Sequence, residues 1–331
     1  KERRRDKYHQ MVLLLLMIIM SYVIGTSEGQ LKVGFYSDSC PDAESIVGGF
    51  VRDAAQSNNK LAAVLLRLHF HDCFVQGCDG SILIDNGPNA ERHAFSHQGV
   101  SGFAVIESAK AKLETVCPGV VSCADIVALA ARDAVALTHG PAYQVQTGRR
   151  DGMVSDMSEA ANMPDISDSI EQLKSKFLEK GLSEKDLVLL SAAHTIGTTA
   201  CFFMTKRLYN FSPTGGSDPA INPSFLQELK STCPQNGNVN VRLPIDRGSG
   251  DTFDDQILQN IRSGFAVLQS DARLYEDEAT RSVIDSYFGF LSPLFGSSFE
   301  ADFADSIVKM GSIDVKTGSQ GSIRRVCGAF S

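Results

Sequence analysis

The chain has 331 residues, with 31 Lys+Arg against 39 Asp+Glu and a formal net charge of −8. An acidic balance of this kind argues against a nucleic-acid partner, which needs a basic footprint. Hydrophobic residues make up 43% and charged residues 21%, a globular composition long enough for one large or two closely joined domains.

The chain opens on Lys1-Glu-Arg-Arg-Arg-Asp-Lys7, followed by an apolar run from Met11 to Ile19. The run is shorter than the ~20 residues a membrane span needs. A basic flank, a short apolar core and small residues at Ser27 and Gly29 read as a secretory signal cleaved after Gly29. A signal anchor is the alternative, disfavoured by the short run. Met11 is an alternative start that would leave residues 1–10 outside the translated chain. Cleavage removes five basic and three acidic residues, so the remaining chain, 30–331, carries a net charge near −10. No later stretch is apolar enough to span a membrane, and no internal repeat is present.

Asn58–Phe70 reads as a helix and runs into Arg67-Leu-His-Phe-His-Asp-Cys-Phe-Val-Gln-Gly-Cys-Asp-Gly-Ser81. On a helix Arg67 and His71 share one face, with Phe70 beside them. A fixed cation next to a proton acceptor can polarise a small bound molecule. The following loop offers oxygens at Asp72, Asp79 and Ser81 and carbonyls at Val75 and Gly77, a shell suited to a hard cation. Cys73 and Cys78 bracket that loop. The same stretch also admits zinc, through His69, His71, Cys73 and Cys78.

Residues 86–102 read as loop. Ser122 caps a helical run through His139 that stops at Gly140-Pro141. Asp168 with Glu171 opens a helix ending near Gly181, and Ser183 caps Glu184–Ala193. That last helix delivers His194 and then meets Gly197, with small Ala192 and Ala193 beside the histidine. A flat, bulky cofactor could lie there with His194 as its axial ligand, although such a histidine is more often a structural one. Pro223–Thr232 and Phe299–Gly311 also read as helices, and residues 210–223 and 234–255 as loops. Few stretches alternate as strands do, so the expected class is all-α with short β pieces.

Eight cysteines, at 40, 73, 78, 117, 123, 201, 233 and 327, all follow the signal. An even number after such a segment favours disulfides over metal thiolates. Spacing alone suggests only Cys73–Cys78. Asn210-Phe-Ser212 is a glycosylation sequon in a polar loop.

Together, Arg67-Leu-His-Phe-His-Asp-Cys-Phe-Val and Ser191-Ala-Ala-His-Thr-Ile-Gly197 resemble the distal and proximal signatures of the secreted plant haem peroxidases, class III of the plant-type superfamily. The resemblance runs from Leu31 to Cys327. It implies an all-α, two-domain fold with one haem b between the halves. His194 would ligate the iron and Asp271 would accept its other N–H. One calcium would be held by Asp72, Val75, Gly77, Asp79 and Ser81, with Glu91 helping through water. A second would take Thr195, Asp246, Ser249, Thr252 and Asp254. Disulfides would join Cys40–Cys117, Cys73–Cys78, Cys123–Cys327 and Cys201–Cys233. Pro164 resembles the family's substrate-site proline at the haem edge. The activity implied is reduction of hydrogen peroxide and one-electron oxidation of phenolic donors, by a monomer in the cell wall or apoplast.

Elementary chemistry fits those roles. Peroxide must lose a proton from one oxygen and receive it on the other so that water can leave. A neutral His71 can make both transfers, and Arg67 can stabilise the charge on the departing oxygen. An ionised Asp271 would make His194 a more electron-donating ligand. The chain has no Trp, so no oxidising equivalent can rest on one, and Phe70 stands where intracellular relatives carry Trp. One departure is clear. The family usually has an Asn accepting the N–H of the distal histidine; here that position holds His97 in a shortened loop, Glu91-Arg-His-Ala-Phe-Ser-His97. A neutral imidazole nitrogen can still accept. The competing function class is a secreted haem- and calcium-binding protein acting as a wall-binding module.

Overall fold

The computed structural model describes residues 30–289 and 298–330. The expected signal, 1–29, lies outside them. Among the described residues twelve α-helices and four short strands form, joined by 3-10 turns.

The helices are α1 (Ala43–Ser57), α2 (Leu61–Phe74), α3 (Phe103–Val116), α4 (Cys123–Leu137), α5 (Ile170–Glu179) and α6 (Glu184–Ser191). They continue as α7 (Thr205–Tyr209), α8 (Pro223–Thr232), α9 (Gln256–Arg262), α10 (Gln269–Arg273), α11 (Glu278–Ser286) and α12 (Phe299–Met310). Strands β1 (Lys32–Val33) and β2 (Gln146–Thr147) pair antiparallel, as do β3 (Thr198–Ala200) and β4 (Arg242–Pro244). The all-α expectation with short β pieces holds.

Burial explains the placement of α2 and α4. In α4, the residues from Cys123 to Ala131 are all buried; a helix apolar all round belongs in a core. Its start is fixed by Ser122 Oγ, which accepts from Asp125 N at 3.1 Å. α2 packs along α4 and is buried from Leu61 to Phe74 at ten positions, His69, His71 and Asp72 among them. The outer helices are amphipathic: α1 turns Val47 and Val51 inward, and α5 turns Leu173 and Phe177 inward. A second, smaller apolar cluster gathers Met204, Leu208, Phe225, Leu229, Leu243 and Val267, clipped by Cys201–Cys233.

The four disulfides expected from the resemblance are the four present, and no described cysteine is free. Cys73 and Cys78 are therefore oxidised, which removes two of the four ligands of the zinc alternative. Several helix boundaries shift. The cap of α5 is Ser169, not Asp168: Ser169 Oγ accepts from Gln172 N while Gln172 Oε1 accepts from Ser169 N. Asp168 instead accepts from Asp165 N and pairs with Lys176 at 2.7 Å. α6 stops at Ser191 and tightens into a 3-10 turn over Ala192–Thr195. α1 and α3 were not anticipated; two Gly-rich or charge-rich amphipathic stretches gave no strong cap signal, and neither has a side-chain cap hydrogen bond.

The C-terminal segment straps back onto the loops around Gly80 and Asp151. Arg324 lies buried, donating to Gly80 O and Gly152 O, and its backbone N–H donates to Asp151 Oδ2 at 2.8 Å. Arg149 pairs with Asp125 at 2.7 Å and donates to Gly311 O. These buried guanidiniums fix where the loop after α2 sits against α4.

Candidate active site

His71 sits in the last turn of α2, buried, one turn after Arg67. Its Nδ1 lies 2.7 Å from His97 Nδ1, so the position inferred for His97 is where the chain places it. Burial pushes the His71 imidazole well below its ordinary range, and the charges of Arg67 and His97 push the same way. It is therefore held neutral. Arg67 Nη2 donates to Gln98 O at 3.1 Å. Burial, with Arg242 adding repulsion, lowers its guanidinium to about 10, leaving it charged at neutral pH. Phe70 stacks in a tilted row with Phe74 and Phe177, backing the histidine.

His69, two residues earlier, faces elsewhere. Its Nδ1 is 3.6 Å from Cys73 Sγ, and burial with the nearby Arg149 charge lowers it to about 3. It is a core histidine.

His194 stands in the 3-10 turn after α6, and its Nδ1 lies 3.0 and 3.2 Å from the two oxygens of fully buried Asp271. Burial pulls this imidazole down, but the Asp271 charge and hydrogen bond override it and raise the pKa. With Nδ1–H donated to the carboxylate, Nε2 keeps its lone pair as an electron-rich ligand. The side chain retains 38% of its accessible surface although it is surrounded by core residues, so an open space lies beside it. The Arg67 charge acts weakly against that rise in pKa. The two segments also meet at Gly197: φ is +105°, and a Cβ there would stand 2.8 Å from Ala63 Cβ of α2. An acid–base pair in one segment and a carboxylate-backed imidazole in the other are the groups that suit an iron porphyrin held through His194.

The carboxylates that follow His71 accept from backbone N–H groups of the same loop. Asp72 Oδ2 accepts from Gly80 N at 3.0 Å and Asp79 Oδ1 from Ser81 N at 3.0 Å. Asp72 Oδ1, Ser81 Oγ and both Glu91 carboxylate oxygens are buried without any hydrogen-bond partner. Leaving such atoms unpaired costs ~1–3 kcal/mol each, more if charged. Burial raises Asp72 well above the carboxylate range, with Asp79 and Glu91 adding repulsion. Burial likewise raises Glu91, against the pull of His97 and Ser81. Two ammonium groups answer part of the charge: Lys316 meets Asp79 Oδ2, and Lys180 donates to Val75 O at 2.9 Å. Gly77, at φ +96°, turns the loop where a Cβ would meet Asp314 O at 2.6 Å. Orphaned hard oxygens fit a divalent cation.

The second oxygen set is drawn together by β3 and β4, which pair Thr198 with Pro244 and Ala200 with Arg242. Thr195 Oγ lies 2.9 Å from Asp246 Oδ2 and 3.2 Å from Asp254 Oδ1, while Ser249 Oγ lies 2.9 and 3.0 Å from the same two atoms. Thr252 O is 3.4 Å from Thr195 Oγ. Each hydroxyl has one proton for two carboxylate oxygens, so half of these contacts set oxygen against oxygen. Burial, opposed by hydrogen bonds from Ser249, Asn260 and Thr195, raises Asp246 to about 6. A cation fits here too. Among the described residues no group of three or more His, Cys, Asp and Glu side chains could alone hold a metal; both sets depend on hydroxyl and carbonyl oxygens.

Pro164 is half-buried in the segment before α5, next to Met163, whose carbonyl accepts from Lys176 Nζ at 2.9 Å. Asn210 is exposed just past α7. The sequence reading did not anticipate Arg242 near Arg67, or Lys180 and Lys316 on the loop oxygens; an isolated basic residue carries no spacing signal.

Buried helices that carry Arg67 and His71 on one element and a carboxylate-backed His194 at the end of another suit a haem-enzyme scaffold. The family model described as Peroxidase matches residues 47–289. Peroxidase 43 of Arabidopsis thaliana is 65% identical over 317 residues, covering 96% of this chain and 97% of the relative. Peroxidase 13 of Arabidopsis thaliana is 55% identical, covering 96% and 99%, and Peroxidase N1 of Nicotiana tabacum 49% identical, covering 97% and 96%. The chain belongs to the peroxidase family, as a haem-dependent oxidoreductase that acts on hydrogen peroxide.

Proposed function

We propose that this chain is a secreted, haem b-dependent peroxidase that cleaves hydrogen peroxide with Arg67 and His71 and takes electrons singly from small phenolic donors. The observation that carries the residue assignment is the opposed pair of histidines: His71 held neutral beside a charged Arg67, and His194 made basic by Asp271 at 3.0 Å. His194 would hold the iron, and the bound haem would supply the electrons that the breaking O–O bond takes up. His71 Nε2 removes the proton from one peroxide oxygen and returns it to the other. Arg67 stabilises the negative charge that gathers on the departing oxygen. Phe70 walls the space on the His71 side, and Pro164 would border the donor approach.

The two oxygen sets would each hold calcium: Asp72, Val75, Gly77, Asp79 and Ser81, with Glu91 through water, and Thr195, Asp246, Ser249, Thr252 and Asp254. Support comes from the orphaned oxygens of the first set and the proton-poor contacts of the second. The basic and apolar leader, four disulfides and an exposed sequon at Asn210 support secretion to the cell wall or apoplast. No helix among the described residues is long and apolar enough to cross a membrane. The acidic charge disfavours nucleic acid, and we read residues 30–331 as a single peroxidase domain acting as a monomer.

The wall-binding alternative rests on His97 failing to orient His71; the 2.7 Å contact supports the enzymatic reading, since a neutral His97 Nδ1 at that distance can accept the His71 N–H. The test is stopped-flow mixing of the haem-loaded protein with hydrogen peroxide, followed by a phenol. A rapid change in the haem spectrum, reversed in two steps by the phenol, is expected; an unchanged spectrum would refute the enzymatic reading.

A further inference from the structure

The chain has no Trp, so tyrosine is the aromatic side chain left that most readily gives up an electron. A phenol that loses an electron becomes a strong acid and sheds its proton. An oxidisable tyrosine therefore needs a base within hydrogen-bond reach, ~2.6–3.2 Å, and access to a donor that returns the electron. Five tyrosines lie among the described residues, and they differ in these respects. Tyr143 Oη has no hydrogen-bond partner. Tyr209 donates to the Cys233 carbonyl, which is no proton acceptor of use. Tyr36 reaches Asp125, but the two residues are 4% and 0% exposed. Tyr287 reaches Asp302 and is 9% exposed.

Tyr275 is half-buried and donates to Asp285 Oδ1 at 3.1 Å. The Asp285 side chain keeps 41% of its surface, so a proton received there passes on to water. Tyr275 also stands four residues past Asp271, whose carboxylate meets His194 Nδ1. The turn between them is closed: Leu274 N donates to Asp271 O at 3.1 Å and Tyr275 N to Ala272 O at 3.2 Å. Four residues of such a turn rise ~6–8 Å, and the phenol ring packs against the main apolar core. The Arg281 guanidinium lies 5.3 Å from the ring centre. A cation there opposes positive charge on the ring, so the oxidised form that suits this setting is a neutral phenoxyl, its proton gone to Asp285.

We propose that Tyr275, with Asp285 as its proton acceptor, is a second oxidation site, serving macromolecular phenols too large to enter beside His194. Tyr275 gives one electron to the site that peroxide has oxidised. Its O–H bond breaks and the proton joins the Asp285 carboxylate. A donor phenol then returns one electron to Tyr275, the proton comes back from Asp285, and the donor's own proton goes to water. One hydrogen peroxide drives two such turns.

The second site rests on the peroxide reaction proposed above, and the test keeps the two apart. Haem-loaded protein is mixed with one equivalent of hydrogen peroxide, without donor, and followed by electron paramagnetic resonance. A parallel sample is captured with a nitroso spin trap and digested for mass spectrometry. A tyrosyl signal and a trap adduct on Tyr275 are expected. Reduced cytochrome c serves as the one-electron donor too large to enter, and phenol as the small one. Tyr275→Phe should lose the adduct and the oxidation of cytochrome c while oxidising phenol at the wild-type rate. Asp285→Asn keeps the phenol without its base and should slow cytochrome c oxidation by ~10²-fold, the low end of what a placed base supplies. Tyr287→Phe should change neither rate. Should Tyr275→Phe fail to fold, the wild-type adduct and Asp285→Asn still decide. A wild-type protein without an adduct on Tyr275, or a Tyr275→Phe protein that oxidises cytochrome c at the wild-type rate, would overturn the second site while phenol turnover still upholds the peroxide reaction. A haem spectrum that does not respond to peroxide would sink both.

Discussion

His71 and His194 are each followed at once by an oxygen donor, Asp72 in one case and Thr195 in the other, yet their surroundings push them in opposite directions. Burial, with a guanidinium and an imidazole pushing the same way, drives His71 neutral; His194 is pulled down by burial too, but its buried carboxylate partner overrides this and drives it basic. The oxygen sets differ as well. Four buried oxygens of the first set lack partners, whereas the second set contacts itself through Thr195 and Ser249. One backbone plan thus serves a proton carrier and a metal ligand, and the neighbours decide which.

The largest expected effect falls on the His194 side. His194→Ala should abolish haem retention, measured by haem absorbance after gel filtration; normal retention would mean the iron ligand lies elsewhere. On the other side, His71→Ala should keep the haem but slow the peroxide reaction by ~10²–10⁴-fold. Arg67→Leu should act on the same bond cleavage, so the double variant should fall well short of the product of the two losses; strict multiplicativity would separate their roles.

Asp271→Asn sharpens the contrast, because it leaves the geometry and removes the charge that makes His194 basic. A loss of about 10–100-fold in haem affinity or turnover is expected. If its spectrum and turnover match wild type, the carboxylate does not tune the ligand.

The acid limb of the peroxide reaction tests the opposite tuning of His71. A base acts in its neutral form, and burial with neighbouring charge extends that form below the ordinary histidine range. The rate should therefore stay level as pH falls through 6.5 and decline only at more acidic values. Arg67→Leu removes one of the depressing charges, so its limb should move up in pH. A wild-type limb at 6.5 would contradict the burial argument.

The smallest effect separates the oxygen sets. A cation bound only to the folded state stabilises it by mass action, about 2.7 kcal/mol at 100 times its Kd. Chelation should lower Tm, and hydrogen exchange should rise more over residues 72–81 than over 246–254, because the second set keeps its internal contacts. Equal opening of both loops would mean the orphaned oxygens are not what calcium satisfies.

Much of this was legible in the chain. The Arg67–His71 spacing gives a shared helix face whatever the tertiary context, and α2 does present both. Ser122 and Ser183 announced their helices because a capping hydroxyl acts within a few residues. The Ser169–Gln172 capping box is just as local, whereas α1 and α3, without a side-chain cap hydrogen bond, depended on packing. Eight cysteines could not choose among 105 pairings; Cys123 and Cys327, 204 residues apart, meet only once the C-terminal strap closes.

What the sequence determined by itself was the set of chemical groups and their local order: an arginine, a histidine and hard oxygens in one stretch, a lone histidine and then a hydroxyl in another. The tertiary structure decided the protonation of each histidine, because that depends on which charges stand within a few ångströms in a desolvated core. Asp271 reaches His194 from 77 residues away, and His97 reaches His71 from 26. Electrostatic influence follows distance in space and depth from water, and neither is written in spacing along the chain.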